Sequence, residues 1–341
     1  MRELSCGDSV GISGLGYFIP EEVLTSSDLA RLSGIPEAVF LEKIGIEQKH
    51  IAGPDLHPAE MGARAARIAI GNAGIDPLDL DLIVYCSLGY YDYRFWSPAA
   101  KIQDETGAKN AYSFELKNGC NGGNLGLNTC KELLLGDPEK QHALVVCSEK
   151  LSVSINYHNA RSVSGFAFAD GAVAAVLEKN YSGNSLLSYA GITDGSLADH
   201  VRVPYGGTRM LPAVRPPEDD NCYLCVDDPE GLDRIFSGIY LRNYLSVIHE
   251  ALRKSGYSSR NIDHLFMNQV KKSLTHDILA GLDLEESQTM TTMREFGHMG
   301  SVDTLFGLAK AGAGEQLHPG DLVVLAGSAI GFSWAATVLK Y

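Results

Sequence analysis

The stretch FELKNGCNGGNLGLNTCKELL, Phe114 to Leu134, decides how this chain is read. A short apolar run with strand character gives out at Asn118-Gly119. Beyond Gly122 the apolar residues fall at helical spacing, and the run stops at Gly136-Asp137-Pro138, a good helix terminator. Cys120 stands at the junction. The first N–H groups of a helix have no partner inside it, and their partial positive charge favours thiolate over thiol. Gly119, Gly122 and Gly123 remove side chains around the sulfur, which leaves room for a substrate carbonyl beside backbone donors. A nucleophilic cysteine with open space and N–H donors is what acyl transfer requires. The alternative for this window alone is a small cysteine packed in a core.

Outward from this window, strand and helix signals alternate, which predicts an α/β fold. VGISGLGYFIP reads as a first strand, PAEMGARAARIAIGNAGI as an amphipathic helix ending at glycine, and DLDLIVYCSLG as a buried strand. SPAAKIQDETGA reads as a helix, and AYSFELKN and HALVVCSEK as strands. GFAFADGAVAAVLEKN holds a Gly-rich turn and another strand. The second half repeats this grammar in the same order. LSVIHEALRKSGYSSRNIDHLFMNQ matches ARIAIGNAGIDPLDLDLIVYCS, PGDLVVLAGSA matches QHALVVCSEK, and GFSWAATVLKY matches GAVAAVLEKN. The expected organisation is two similar halves, residues 1–183 and 184–341, with the site where they meet.

Bulk properties narrow the function. The 341 residues are 45% hydrophobic and carry a formal net charge of -14, which argues against nucleic acid as a partner. No apolar run is long enough to cross a bilayer, and the N-terminus lacks the basic start and apolar middle of a signal peptide. The seven cysteines form no disulfide framework, so a reducing, cytoplasmic setting is expected. The one C-x-x-C, Cys222 and Cys225, lacks a second ligand pair, and no metal site is predicted.

These landmarks together resemble the ketoacyl-acyl-carrier-protein synthase III branch of the thiolase superfamily, over nearly the whole chain. KIGIEQKHIA, the Cys120 window, GFAFADGAVAAVLEK, YGGTR (Tyr205 to Arg209) and GFSWAATVLK follow the family's order and spacing. The resemblance implies a thiolase fold, with mixed sheets in a layered αβαβα arrangement. It implies an acyl group carried on Cys120 from a coenzyme A or phosphopantetheine thioester, no bound cofactor, a homodimer, and no membrane partner. In the family a His and an Asn assist a decarboxylative condensation with a malonyl thioester. Here Asn268, in HLFMNQVKKS, stands where that His belongs, and His298, in REFGHMGSVDTLFGL, stands where that Asn belongs. Both types donate hydrogen bonds, so Cys120, Asn268 and His298 still suit a condensing site, and decarboxylative condensation of the Cys120-bound acyl group is the leading reading. His298 equally suits a general base that delivers the acyl group to an oxygen or nitrogen nucleophile. A third reading is a non-catalytic partner subunit of a ketosynthase heterodimer; retention of Cys120 speaks against it.

Further expectations attach to the resemblance. The oxyanion donors are the Cys120 N–H and a second N–H at Gly331, in a stretch where Ala329 and Ile330 replace family glycines. Tyr90, Tyr93, Phe95 and Trp96 belong to a loop that helps form the acyl pocket across the family's dimer interface; packing in that interface is the alternative. Lys271 and Lys272, together with Arg253 and Lys254, offer contacts for an acidic carrier. The Pro-rich, acidic segment from Leu211 to Gly231 reads as an inserted surface loop. Asp170 is expected to hold its own turn. Asp303, five residues past His298, is a candidate to orient the imidazole, although spacing alone does not bring the two side chains together.

Overall fold

The computed structural model describes residues 9–210, 220–270 and 272–341. In chain order the strands and helices are β1 (Val10–Phe18), β2 (Val23–Thr25), α1 (Ser26–Ser33), β3 (Gln48–His50), α2 (Pro58–Ala73), β4 (Leu82–Ser87), α3 (Pro98–Thr106), β5 (Tyr112–Lys117), α4 (Gly122–Gly136), β6 (His142–Lys150) and β7 (Asp170–Lys179). They continue with β8 (Ser185–Thr193), β9 (Val201–Arg202), β10 (Cys225–Val226), α5 (Pro229–Lys254), β11 (His264–Met267), α6 (Lys272–Leu282), α7 (Met293–Phe296), α8 (Asp303–Ala313), β12 (Leu322–Ala329) and β13 (Ser333–Lys340).

Two mixed sheets carry the fold. One has the order β1-β7-β6-β4-β5 and the other β11-β12-β13-β8. In the first, β1 pairs antiparallel with β7, β7 antiparallel with β6, and β6 parallel with β4. The second repeats this sequence of senses: β8 antiparallel with β13, β13 antiparallel with β12, and β12 parallel with β11. Even the fifth strand has a trace, because Thr289 makes a parallel bridge to Leu265 of β11, as β5 pairs parallel with β4.

Helices complete five layers. α2 and α3 cover the outer face of the first sheet, and α5, with α6 against it, covers the outer face of the second. α4 and α8 lie between the sheets and touch both. Central strands are buried on both faces, so they read as continuous apolar runs. On β4 and β6, Val84, Cys86, Val145 and Cys147 face the middle layer, while Ile83, Tyr85, Leu144 and Val146 face α2 and α3. On β12, Val323 and Leu325 face the middle layer, while Val324 and Ala326 face the α5 side.

The acidic segment is more ordered than expected. Part of it, residues 211–219, lies outside the described residues, but Cys225 and Val226 are buried in β10, which pairs with β9. α5 starts inside this segment, at Pro229, with the Asp228 carboxylate accepting the Gly231 N–H at 2.9 Å. The capping Asp and the Pro at the first helical position are an ordinary helix start. The Cys225 thiol donates to the Arg202 carbonyl at 3.4 Å.

Candidate active site

Cys120 lies in the single 3-10 turn Gly119–Asn121 that leads into α4. No side chain caps the N-terminus of α4, so its first N–H groups are left to the site. Gly119 has φ +55, a left-handed conformation, and a Cβ there meets the Ala329 Cβ at 2.9 Å. Gly122 and Gly123 serve a different purpose from the one expected. Added Cβ atoms would meet Cys86 and Ser301 at Gly122, and Ser301 and Leu305 at Gly123. These glycines therefore let α4 press against β4 and the segment before α8, rather than clear space for substrate.

His298 and Asp303 come from the equivalent corner of the second half. Gly297, at φ +77, sits where a Cβ falls 2.7 Å from Ala169 and 2.8 Å from the Ala167 carbonyl oxygen. This close approach lets the His298 N–H donate to the Ala167 carbonyl at 2.8 Å, while the Ala169 N–H donates to the His298 carbonyl at 2.9 Å. The Phe168 ring stands edge-on to the imidazole, with centroids 5.3 Å apart. Beneath this loop, the buried Lys49 Nζ donates to the Phe166 and Phe168 carbonyls at 2.9 and 2.6 Å. Burial pulls the Lys49 pKa down to about 7, with Asp170 opposing the shift.

The reactive groups form a line. Cys120 Sγ is 3.4 Å from His298 Nε2, and His298 Nδ1 is 2.5 Å from Asp303 Oδ2. All three residues are buried, each at most 4% exposed. Asp303 is the first residue of α8, where a carboxylate is favoured by the free N–H groups. It also accepts the Met299 N–H at 2.8 Å through Oδ1 and the Gln269 N–H at 3.3 Å through Oδ2. An acceptor with these donors assigns a proton to His298 Nδ1. Burial works against an imidazolium here, but the charges of Asp303 and Cys120 outweigh it and hold the His298 pKa well above its usual value. Thus Asp303 does reach the imidazole. The intervening turn, Gly300–Val302 with Gly300 at φ +64, folds five residues of sequence back on themselves.

Asn268 follows β11 and is buried, with its amide oxygen and one of its two amide hydrogens engaged by neighbours. Its Oδ1 accepts from Tyr244 OH and from the Ser328 N–H, both at 2.9 Å, and its Nδ2 donates to the Ser328 carbonyl at 2.8 Å. The turn between β12 and β13 packs on the nucleophile from the other side, with Ala329 and Ile330 against Gly119. Gly331 belongs to that turn and has φ +146.

The remaining expected residues lie apart. Tyr90, Tyr93 and Phe95 are exposed on the surface of this chain, and Tyr93 packs edge-on to Trp96 at 5.6 Å. Lys272 starts α6, near Gly45, and Lys271 lies outside the described residues. Arg253 is exposed and pairs with Glu250 on its own helix, while Lys254 donates to the Tyr189 carbonyl. Asp170 bonds not within its own turn but to Ala52 N, Ser152 N and Ser152 Oγ, at 2.7, 2.9 and 2.6 Å. Sequence reading missed Lys49, Tyr244 and Glu149. Lys49 and Glu149 lie in quoted segments and Tyr244 immediately precedes one, but only the fold aims them at the site. Among the described residues no cluster of His, Cys, Asp or Glu is arranged to hold a metal, and no helix is long and apolar enough to cross a membrane.

Comparison with known proteins agrees with this architecture. Residues 114–195 match the family model of 3-oxoacyl-[acyl-carrier-protein] synthase III, and residues 252–341 match the model of that enzyme's C-terminal part. The chain is 27% identical over 332 residues to a beta-ketoacyl-[acyl-carrier-protein] synthase III of Syntrophomonas wolfei, covering 97% of both chains. It is 28% identical over 332 residues to the enzyme of that name from Symbiobacterium thermophilum, covering 97% of this chain and 98% of the relative. In fold it is similar to the crystal structure of 3-oxoacyl-[acyl-carrier-protein] synthase III from Aquifex aeolicus, with TM-score 0.85, 22% identity, and coverage of 98% of this chain and 100% of that one. It is equally similar to the priming beta-ketosynthase of the R1128 polyketide pathway, with TM-score 0.86, 21% identity, and coverage of 99% and 98%. With its duplicated sheets, its cysteine at the start of α4 and these matches along both halves, the chain belongs to the 3-oxoacyl-[acyl-carrier-protein] synthase III-like branch of the thiolase superfamily.

Proposed function

We propose that this protein is an acyltransferase that loads an acyl group onto Cys120 and passes it to an oxygen or nitrogen nucleophile. One observation carries the reading: the unbroken line from Asp303 through His298 to Cys120. With Nδ1–H committed to Asp303, a neutral His298 presents a lone pair at Nε2. That atom is a proton acceptor, as a general base must be.

The steps balance. Sγ gives its proton to Nε2, and the thiolate attacks the carbonyl carbon of a coenzyme A or carrier-bound thioester. Backbone N–H groups at Cys120 and the Gly331 turn suit the developing oxyanion. The tetrahedral intermediate expels the thiol leaving group, which takes the proton from Nε2. An acceptor O–H or N–H then attacks the acyl-Cys120 carbonyl while Nε2 removes its proton. Sγ leaves as thiolate beside the imidazolium, and the cycle restarts.

Decarboxylative condensation, the reaction for which the relatives are named, is the second reading, and family membership favours it. It asks for two N–H donors at the enolate oxygen. His298 donates from Nε2 as the imidazolium, the form its raised pKa favours. Asn268 has its Oδ1 taken by Tyr244 and Ser328 and one Nδ2 hydrogen given to the Ser328 carbonyl, which leaves one amide N–H for this role. A homodimer, a cytoplasmic setting and a loaded carrier or coenzyme A thioester as donor belong to both readings.

The test incubates the protein with acyl-coenzyme A thioesters of graded chain length and follows intact mass. An adduct of acyl mass, lost in Cys120→Ala, is expected. Adding carboxyl-labelled malonyl-coenzyme A should release no labelled carbon dioxide, whereas alcohols or amines should discharge the acyl-enzyme. Acyl-dependent release of label would overturn transfer in favour of condensation.

A further inference from the structure

Glu149, near the end of β6, is completely buried. Its Oε1 accepts the Leu88 N–H at 2.9 Å and lies 2.6 Å from Ser301 Oγ. Its Oε2 is buried and has no partner. Ser301 stands in the turn between His298 and Asp303, and its Oγ also lies 3.2 Å from the Cys86 carbonyl. Gly300, in the same turn, rests on the Glu149 stem: a Cβ there falls 3.5 Å from Cγ.

Hydrogen counting decides the protonation. A serine hydroxyl carries one hydrogen. If Glu149 is ionised, the Ser301 hydroxyl can serve only one of its two acceptors. Oε2 is then a buried anionic oxygen without a well-formed hydrogen bond, the Ser301 N–H being the one further donor that acts on the carboxylate. If the proton sits on Oε1, the acid donates to Ser301 Oγ and Ser301 donates to the Cys86 carbonyl. The orphan is then a neutral carbonyl oxygen, far cheaper to bury than a charge. We propose that Glu149 is a positioning residue held as the neutral acid, which clamps, through Ser301, the turn carrying His298 and Asp303, and loosens it on ionising.

The surroundings support this. Burial pushes the Glu149 pKa up to about 8, against hydrogen bonds from Ser301 and Leu88 and the charge of His298. The titratable groups interacting with it are Tyr85 on β4, Tyr91 after β4, Cys147 on β6 and His298 across the turn. Cys86 lies beside Cys147. Burial raises both tyrosines, and the Cys86 contact followed by burial raises Cys147, so none of the three competes as an acid with Glu149.

The test needs no acyl substrate, so its failure is separate from that of the transferase reading. In protein labelled with 15N-histidine, the downfield proton of His298 Nδ1 reports the contact with Asp303. In the wild type it should broaden and vanish as pH rises past about 8. The protonated clamp should thin roughly tenfold per further pH unit. In Glu149→Gln, neutral at every pH, the resonance should persist through that range. Loss at the same pH in both proteins overturns the proposal. Should the variant not fold, the wild type decides by infrared spectroscopy: a protonated-carboxyl band must disappear across the same window, and its absence at neutral pH overturns the proposal.

Discussion

At the scale of single residues, His298 is held as a base by one contact, and removing that contact has a signed consequence. Asp303→Asn takes away the main force holding the imidazolium, so the His298 pKa falls toward its ordinary value. Discharge of the acyl-enzyme needs neutral Nε2, so its acid limb should shift to lower pH. The plateau should drop by about 100- to 10,000-fold, because an amide can stabilise the wrong tautomer. Pre-steady-state discharge rates across a pH series measure both; an unmoved acid limb refutes the orienting role. Glu149 makes a second prediction, about stability. Its folded value of about 8 lies above the unperturbed 4.5, so between the two the unfolded chain binds fewer protons. This residue's contribution therefore erodes as pH rises through that window and levels off above it. Urea midpoints of Glu149→Gln should fall less steeply there than the wild type's, and parallel curves would contradict the assignment. Cys120 and His298 were legible in sequence because local motifs mark them. Asp303 was not, because its reach depends on a left-handed glycine turn that spacing does not reveal.

At the scale of elements, the two helix starts that bring the nucleophile and the base together rely on backbone approach more than on side-chain packing. Gly119→Ala sets a β-carbon at φ +55 against Ala329. A loss of about 1–3 kcal/mol is expected from strain and contact, read as a lower denaturant midpoint, together with slower acylation of Cys120. Gly126→Ala, on the α4 face toward β4, meets Cys86 Sγ at 2.6 Å. It should cost about 1–3 kcal/mol by overpacking, without touching the reactive line directly. Lys49→Met removes both donors from the Phe166 and Phe168 carbonyls, under the loop that pairs with the His298 backbone. Each orphaned buried carbonyl costs about 1–3 kcal/mol, so this variant should be the least stable of the three. Equal midpoints for Lys49→Met and the wild type would remove the lysine from the account. Strand and helix identities were readable here, since the buried strands are continuous apolar runs. The partners of Lys49 were not, because they lie more than a hundred residues away.

At the scale of the whole molecule, α4 and α8 form a middle layer covered by a sheet on either side, so they cannot open without separating the halves. Native-state hydrogen exchange should find their amides among the slowest, close to the global limit, with α6 on the outer layer exchanging sooner. Faster exchange in α4 than in α6 would contradict the layering. Pattern alone determined much of this architecture: the αβ alternation, the repeated grammar of the two halves, and a cysteine at a strand-to-helix junction. Those features are written in residues close along the chain, where periodicity and turn chemistry act. Tertiary structure alone decided what the site contains. Folding the halves together set Asp303 behind His298, turned the Asn268 amide toward Tyr244 and Ser328, and buried Glu149 under the catalytic turn. Side-chain partnership in a duplicated fold depends on how two distant corners face each other, and no local spacing encodes that.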